Sequence, residues 1–260
     1  MLSKNELEGY RTFGDPYQVE KDYLQELSLY EIYSKKYTTD SFVFKGGTAL
    51  SKFYHSSRFS EDLDFTATAV DVDAVSKGIE QIGASLFYKT VLTEKPSLNK
   101  FGTLHADMAI EGPRYNGKAS TLQHIRFEVN TVSRLEYKPV PMTHNPIYSD
   151  LAEYTALIMD RREIMSEKVR AIMSVGRRHK ERDLYDMYFL IGKGVAADKE
   201  VVIKKLEQSN ITLSRRLLMD SIEKIKATWK QLEPFVVQEL PAYTETRSRV
   251  IESLKNSGLL

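Results

Sequence analysis

The stretch FVFKGGTALSKFYHSSRFSEDLDF, residues 42 to 65, decides the fold of this chain. It reads as an apolar strand, a Gly-Gly turn, a short helix and a second strand over 61 to 66 that carries Asp62 and Asp64. Side chains alternate faces along a strand, so these two aspartates project together. Neighbouring carboxylates repel each other, and a hard divalent cation such as Mg²⁺ is the commonest reason to build such a pair.

The Gly-Gly turn consists of Gly46 and Gly47 and is followed by Thr48. Backbone N–H groups approach a phosphate closely where there is no side chain, and the start of the next helix adds positive potential. Thr48 either belongs to this phosphate turn or caps the helix. A metal site next to a phosphate turn indicates phosphoryl or nucleotidyl transfer.

Arg58 and Ser60 flank the entry into the acidic strand. Arg58 is a candidate to hold Asp62 or a triphosphate, and a surface salt bridge is the alternative interpretation of this arginine. We count both residues as nucleotide-binding candidates.

A β-hairpin is predicted from strand patterns near 103 to 110 and 121 to 132, since EGPRYNGK between them holds Gly-Pro and Asn-Gly turn signals. In the second strand the polar residues share one face, and Glu128 lies on it. This third carboxylate either completes the metal site or is an exposed strand acid.

Strand patterns cluster before residue 140, and helical patterns follow it. The segment 138 to 150 holds three prolines and is interpreted as a loop. This segregation predicts an α+β chain with a core over 1 to 140 and a helical part over 141 to 260. Helices are predicted at 16 to 36, 71 to 89 with Asp71 as the cap, 161 to 175, 181 to 192, 199 to 208, 214 to 233 and 243 to 256.

Lys168 stands in the middle of an apolar stripe on the first helix of the helical part. A core-facing lysine is costly unless its ammonium reaches a partner or a cleft, and snorkelling to the surface is the alternative. Asp183 and Asp186 share one side of the next helix, three residues apart. We assign a site role to Asp183 and keep Asp186 as a weaker candidate.

The composition is that of an ordinary globular protein, with 260 residues and a formal net charge of +1. The absence of cysteine excludes disulfides, a thiolate nucleophile and cysteine-bound zinc. Neither a membrane-length apolar run nor a signal-peptide core is present in the sequence. These features predict a cytoplasmic protein without a membrane partner.

The segment 161 to 182 is locally basic, with eight lysine and arginine residues against three glutamates. Such a patch suits RNA phosphates, or it is a solvated helix face. The candidates for RNA contact are Arg177, Arg178, Lys180 and Arg182.

KGGTALSKFYHSSRFSEDLDF resembles the first motif of the AbiEii/AbiGii-type nucleotidyltransferase toxins, a Gly-Gly-Ser/Thr turn followed by Arg-x-Ser-x-Asp-x-Asp. EKVRAIMSVGRRHKERDLYDMYFL resembles their later motifs, a Lys-x-x-Ala helix, a basic stretch and Arg-Asp-x-x-Asp. VEKDYLQEL resembles their N-terminal helix. The order and approximate spacing agree over residues 17 to 190.

The resemblance implies a polymerase-β-like nucleotidyltransferase core with a mixed sheet, followed by a helical bundle that contributes Lys168 and Asp183 to the cleft. It implies Mg²⁺ or Mn²⁺, an NTP donor, an RNA acceptor such as the 3′ end of tRNA, and an antitoxin encoded nearby. By motif match, Asp62 and Asp64 become metal ligands, with Glu128 as a less secure third. Lys168 also becomes a nucleotide contact.

Two other functions remain open from the sequence. One is nucleotidyl transfer to a small molecule or a protein side chain, and the other is nucleotide binding without turnover. Which NTP is used and which acceptor receives the nucleotide have no signature in the chain.

Overall fold

The computed structural model describes residues 1–34, 42–67, 72–100, 102–176 and 180–260, and the chain divides into two compact units. Unit 1 comprises Met1–His55, Phe59–Arg134 and Pro139–Ile158. Unit 2 comprises Ser56–Arg58, Leu135–Lys138 and Met159–Leu260. Asp71, the predicted helix cap, lies outside the described residues.

Unit 1 is built on a mixed β-sheet, as predicted. Within the described residues its strands are β1 (Phe42–Lys45), β2 (Asp62–Ala67), β3 (Thr90–Leu98), β4 (Thr103–Ile110), β5 (Gln123–Asn130), β6 (Val140–His144) and β7 (Tyr154–Ile158). Their order across the sheet is β3-β4-β5-β2-β1-β7-β6. The pairs β2–β5 and β1–β7 are parallel, and the other neighbours are antiparallel.

The two faces of the central strands differ in polarity because their residues alternate. On β2, Leu63 and Phe65 are fully buried in the core, while Asp62 and Asp64 are partly exposed on the opposite face. On β5 the odd-numbered residues are buried and the even-numbered ones are polar. The sheet therefore presents the predicted acids on one face, with the apolar core behind them.

The helices of unit 1 are α1 (Lys4–Leu7), α2 (Pro16–Ser34), α3 (Gly46–Tyr54) and α4 (Val72–Ser85). Helix α2 is joined to α3 by a buried cluster of ion pairs. Lys52 Nζ on α3 lies 2.7 Å from Asp22 Oδ1 and 3.0 Å from Glu26 Oε1 on α2. Burial favours the neutral form of Glu26, but Lys52 and His144 outweigh it and lower its pKa to about 2.

Unit 2 is helical, with α5 (Arg161–Met173), α6 (Lys180–Gly192), α7 (Lys199–Gln208), α8 (Arg215–Ile225) and α9 (Tyr243–Asn256). Asp160, Asp198 and Ser214 cap three of these helices through their side chains, which explains where the helices begin. The predicted helices of this part are confirmed except for 214 to 233. That helix ends at Ile225, and a 3₁₀ segment follows at Trp229–Phe235.

Three strands of the sheet correct the sequence prediction. The segment 138 to 150 was predicted as a loop but contains β6, and neither β3 nor β7 was predicted. The two edge strands each carry a proline, Pro96 in β3 and Pro141 in β6. Proline lacks the N–H that a central strand needs, whereas an edge strand tolerates it.

The unit that contains the sheet continues to Ile158, beyond residue 140, because β6 and β7 complete it. Two short segments interrupt this unit in sequence and belong to the helical unit, namely Ser56–Arg58 and Leu135–Lys138. Across the described residues, no helix is long and apolar enough to cross a membrane.

Candidate active site

Helix α3 begins at Gly46, so the two glycines that were predicted as a turn before the helix belong to the helix itself. Gly46, Gly47 and Thr48 therefore form its first turn, and Lys45 is the N-cap residue, with no side-chain capping bond. The first amides of a helix have no acceptor inside the helix, so this turn offers N–H donors to an anion.

Gly46 is fitted sterically against Asp64. Its φ is +78°, and a Cβ placed on it would lie 2.9 Å from Asp64 Cγ and closer still to Oδ2. Only glycine suits this position, because a side chain would be strained by the backbone and would collide with the carboxylate. The first residue of α3 and the second predicted metal ligand are thus in direct contact.

Thr48 joins the same helix to the other aspartate. Its hydroxyl donates to the main-chain carbonyl of Asp62 at 2.6 Å, and the residue is buried. Thr48 is therefore not the helix cap, and its hydroxyl fixes α3 to β2. Ser60, just before that strand, is held by its carbonyl, which accepts from Gln25 Nε2 at 3.0 Å.

Glu128 lies in register with Asp64 on the parallel strand β5, so the two residues share a sheet face. Burial and the negative charge of Glu128 raise the pKa of Asp62 above its ordinary value. The charged form of Asp62 is therefore disfavoured at this place, which is the condition that a bound cation relieves.

The donor chemistry of Asp62 and Asp64 fits a hard divalent cation, since both offer carboxylate oxygens from one face of β2. Among the described residues, no group of three or more His, Cys, Asp and Glu side chains is arranged to hold a metal ion. A two-carboxylate site suits Mg²⁺, which in nucleotide enzymes takes its other ligands from substrate phosphates and water. Glu128 as a third ligand stays a prediction.

A second group of predicted residues comes together inside unit 2. Lys168 Nζ lies 3.0 Å from Asp183 Oδ1 and 2.7 Å from Asp186 Oδ2. Arg58 donates to Asp186 twice, from Nε and Nη2, each at 2.9 Å. All four side chains are buried, so two cations and two carboxylates neutralise each other out of water.

The electrostatics of this cluster favour charged side chains despite the burial. Burial raises the pKa of Asp186, but Arg58 and Lys168 outweigh it and leave that pKa below its ordinary value. In the same way the two aspartates keep the pKa of Lys168 above its ordinary value although burial lowers it. Lys168 is thus a paired, buried lysine that does not snorkel to the surface.

Asp186, the weaker candidate of the sequence analysis, is the carboxylate that contacts both cations of the cluster. It accepts from Arg58 and contacts Lys168, whereas Asp183 contacts Lys168 alone among the contacts described above. The signal was present in the chain, because Asp186 follows Asp183 by three residues on a helix and shares its side.

The predicted RNA contacts have mixed outcomes. Arg177 and Arg178 lie outside the described residues. Lys180 donates to the carbonyl of Ile172 at 2.6 Å, and the guanidinium of Arg182 lies 4.8 Å from the centre of the Phe235 ring. Both cations contact their own unit, and RNA binding by them remains a prediction.

Comparison with known proteins identifies the family. The sequence profile described as nucleotidyl transferase AbiEii toxin, type IV toxin–antitoxin system, matches residues 28–252. The chain therefore belongs to the AbiEii family of nucleotidyltransferase toxins, which confirms the resemblance found in the motifs. No curated protein matches the sequence significantly.

Solved structures agree on the fold. MenT4, a nucleotidyltransferase toxin from Mycobacterium tuberculosis, superposes with a TM-score of 0.69 at 19% identity, covering 100% of this chain and 91% of that one. A protein from H. pylori provisionally classed as a nucleotidyltransferase gives a TM-score of 0.57 at 15% identity, covering 92% and 93%. The mixed α/β fold is thus that of nucleotidyltransferase toxins, and the protein is a nucleotidyltransferase.

Proposed function

We propose that this toxin transfers a nucleotide from an NTP to an RNA acceptor, the 3′ end of tRNA, with Mg²⁺ or Mn²⁺ as the metal. The observation that carries the proposal is the contact of Gly46 with Asp64, which joins an anion-binding helix start to a carboxylate pair. An NTP needs both elements side by side, since its phosphates require N–H donors and a neutralising cation.

Asp62 and Asp64 would hold the metal, and the amides of Gly46, Gly47 and Thr48 would receive phosphate oxygens. A bound divalent ion supplies charge neutralisation for the attacking and leaving oxygens of an in-line displacement. The Thr48 hydroxyl holds the backbone at Asp62, and Gly46 leaves room for the Asp64 carboxylate, so the fold itself positions both ligands.

In the proposed reaction, the acceptor hydroxyl oxygen forms a bond to the α-phosphorus of the NTP. The bond from that phosphorus to the bridging oxygen breaks, and pyrophosphate leaves with the electron pair. The hydroxyl proton passes to a base, for which Glu128 is the candidate because it lies in register with Asp64 and is partly exposed.

Lys168 and Asp183 are proposed as the functional pair of unit 2, with Arg58 and Asp186 as their buried counter-charges. The bidentate Arg58–Asp186 pair fixes one carboxylate oxygen next to Lys168, which limits where its ammonium points. A lysine held in this way binds phosphate as a point charge.

The partners of the proposal follow from the family. Membership of a type IV toxin–antitoxin family implies an antitoxin, which we expect to be encoded next to this gene. We place the reaction in the cytoplasm, where tRNA and NTPs occur together.

The test is incubation of the protein with each labelled NTP, Mg²⁺ and total cellular RNA. Label in a tRNA-sized band, and its loss in Asp64→Asn, would support the proposal and identify the donor. Label in a small molecule or in protein would overturn the RNA acceptor but keep nucleotidyl transfer. If the protein bound NTP but released no pyrophosphate with RNA, small-molecule or protein acceptors, the proposal that it catalyses nucleotidyl transfer would be refuted.

A further inference from the structure

A group of charged side chains on the polar sheet face plays no part in the function proposed so far. Arg126 on β5 lies between two acids, in register with Asp62 on β2 and with Asp107 on β4. His124 lies two residues before it on the same face of the strand. We refer to Arg126, His124 and Asp107 as the outer triad.

Asp107 is the buried centre of the outer triad, with 9% of its surface exposed. Its Oδ1 lies 2.7 Å from His124 Nδ1 and accepts from the Thr93 hydroxyl at 2.8 Å. Burial raises the pKa of Asp107, but the bonds from His124 and Thr93 outweigh it and leave the pKa below its ordinary value. An ionised carboxylate only accepts, so His124 carries its proton on Nδ1.

Arg126 and His124 are half exposed, with 53% of the Arg126 side chain and 49% of the His124 side chain open to solvent. Arg126 Nε lies 3.8 Å from Asp107 Oδ2, an ion-pair separation that is too long for a hydrogen bond. Exposed ion pairs of this kind contribute about 0–1 kcal/mol to stability. The Arg126–Asp107 pair therefore adds little to stability, and it leaves most of the guanidinium side chain open to solvent.

The sheet order separates the outer triad from the anion-binding start of α3. That helix follows β1 on one side of β2, whereas β5 and β4 lie on the other side. Asp62 and Asp64 thus lie between the start of α3 and the outer triad. If the start of α3 receives the donor phosphates, an anion bound at the outer triad belongs to the other reactant.

We propose that Arg126 and His124, oriented by Asp107, bind a backbone phosphate of the acceptor strand. The guanidinium fork matches phosphate geometry, and the His124 ring adds a second nitrogen, Nε2, that Asp107 does not engage. The inference rests on the proposed RNA acceptor and deepens it, since it assigns the acceptor to the β4–β5 side of the sheet.

The experiment measures equilibrium binding of fluorescein-labelled bulk tRNA to the Asp64→Ala protein, so that no turnover interferes. Adding Arg126→Gln should weaken binding about tenfold, the value of one charge-assisted bond. It should also reduce the slope of log affinity against log salt by about 0.7 to 0.9, the share of one phosphate contact. Arg126→Lys should keep the slope and recover part of the affinity.

Arg247→Gln is the matched control, because this arginine is paired with Glu223 on unit 2 and should change neither affinity nor slope. In the otherwise unaltered protein, Arg126→Gln should raise the KM for tRNA and leave the KM for NTP within about twofold. A raised KM for NTP with unchanged tRNA affinity would overturn the inference in favour of the donor.

The two proposals fail in different ways. Unchanged tRNA affinity in the Arg126→Gln variant, with binding to the Asp64→Ala protein intact, overturns the outer triad alone. No tRNA binding by the Asp64→Ala protein, with NTP binding retained, overturns the RNA acceptor and the outer triad together.

Discussion

The two aspartate pairs of this protein differ in how their charge is balanced. Asp62 and Asp64 lie on a strand, are partly exposed, and have Glu128 as a further negative neighbour. Asp183 and Asp186 lie on a helix, are buried, and are neutralised by Lys168 and Arg58. The first pair gains stability from a ligand that brings positive charge, whereas the second already has its counter-charges within unit 2 and holds Lys168 in place.

The largest expected effect is a loss of activity at the first pair, Asp62 and Asp64, without a loss of stability. Asp64→Asn should reduce nucleotidyl transfer about a thousandfold, because a metal site lost in an in-line displacement costs several kcal/mol of transition-state stabilisation. The thermal midpoint should stay or rise, since a repelling charge is removed. Product formation and thermal unfolding are measured on the same preparation, with the exposed Glu153→Gln as control. A collapsed thermal transition would show that Asp64 is structural.

The second pair should respond in the opposite way. Asp186→Asn leaves Arg58 and Lys168 buried with too little negative charge, which should lower the free energy of unfolding by about 3–5 kcal/mol. Urea unfolding measures this loss. Asp220→Asn, which removes an exposed partner of Arg216, should change it by about 0–1 kcal/mol. Equal losses in the two variants would contradict the difference drawn between buried and exposed pairs.

A smaller effect tests the fit of the first pair to helix α3. Gly46→Ala should lower stability by about 1–2 kcal/mol through its positive φ and should also displace the Asp64 carboxylate, with a further loss of activity. Gly194 has φ +76° and nothing within 4 Å of an added Cβ, so Gly194→Ala should show only the destabilisation that comes from backbone strain. If both variants kept equal activity at equal stability, the contact with Asp64 would be irrelevant to catalysis.

The smallest effect is a pH dependence of the second pair. The folded-state pKa of Asp186 lies below the ordinary value of 3.8, so its contribution to stability is complete above that value and is lost as pH falls through the folded pKa. The difference in thermal midpoint between the unaltered protein and Asp186→Asn should therefore shrink from pH 6 to below 3.8. A constant difference over that range would refute the charged pairing.

The sequence was most informative where a residue's own neighbours determine its structure. The strands β1, β2 and β5 are buried on at least one face, so their pattern shows in the chain. The edge strands β3 and β6 are mostly exposed, and only pairing with their neighbours makes them strands. Their pattern carries little hydrophobic signal.

The same limit applies to the site. The spacing of Asp62 and Asp64 made their shared face predictable. The apolar stripe around Lys168 likewise made it predictable that this lysine faces the core and needs a partner. The partner of Arg58 was not predictable, because Asp186 lies 128 residues away in the chain and is chosen by folding. Local spacing shows which groups need a partner but does not identify a distant one.

The steric fit between Gly46 and Asp64 also has an evolutionary consequence. Because a Cβ at position 46 would occupy the space of the Asp64 carboxylate, the residues at the two positions constrain each other although 17 residues separate them. A lineage that lost the acid would be released from the need for glycine, and alanine would become acceptable if the local backbone relaxed. Covariation at these two positions would thus mark where descendants of this toxin have lost the proposed metal site.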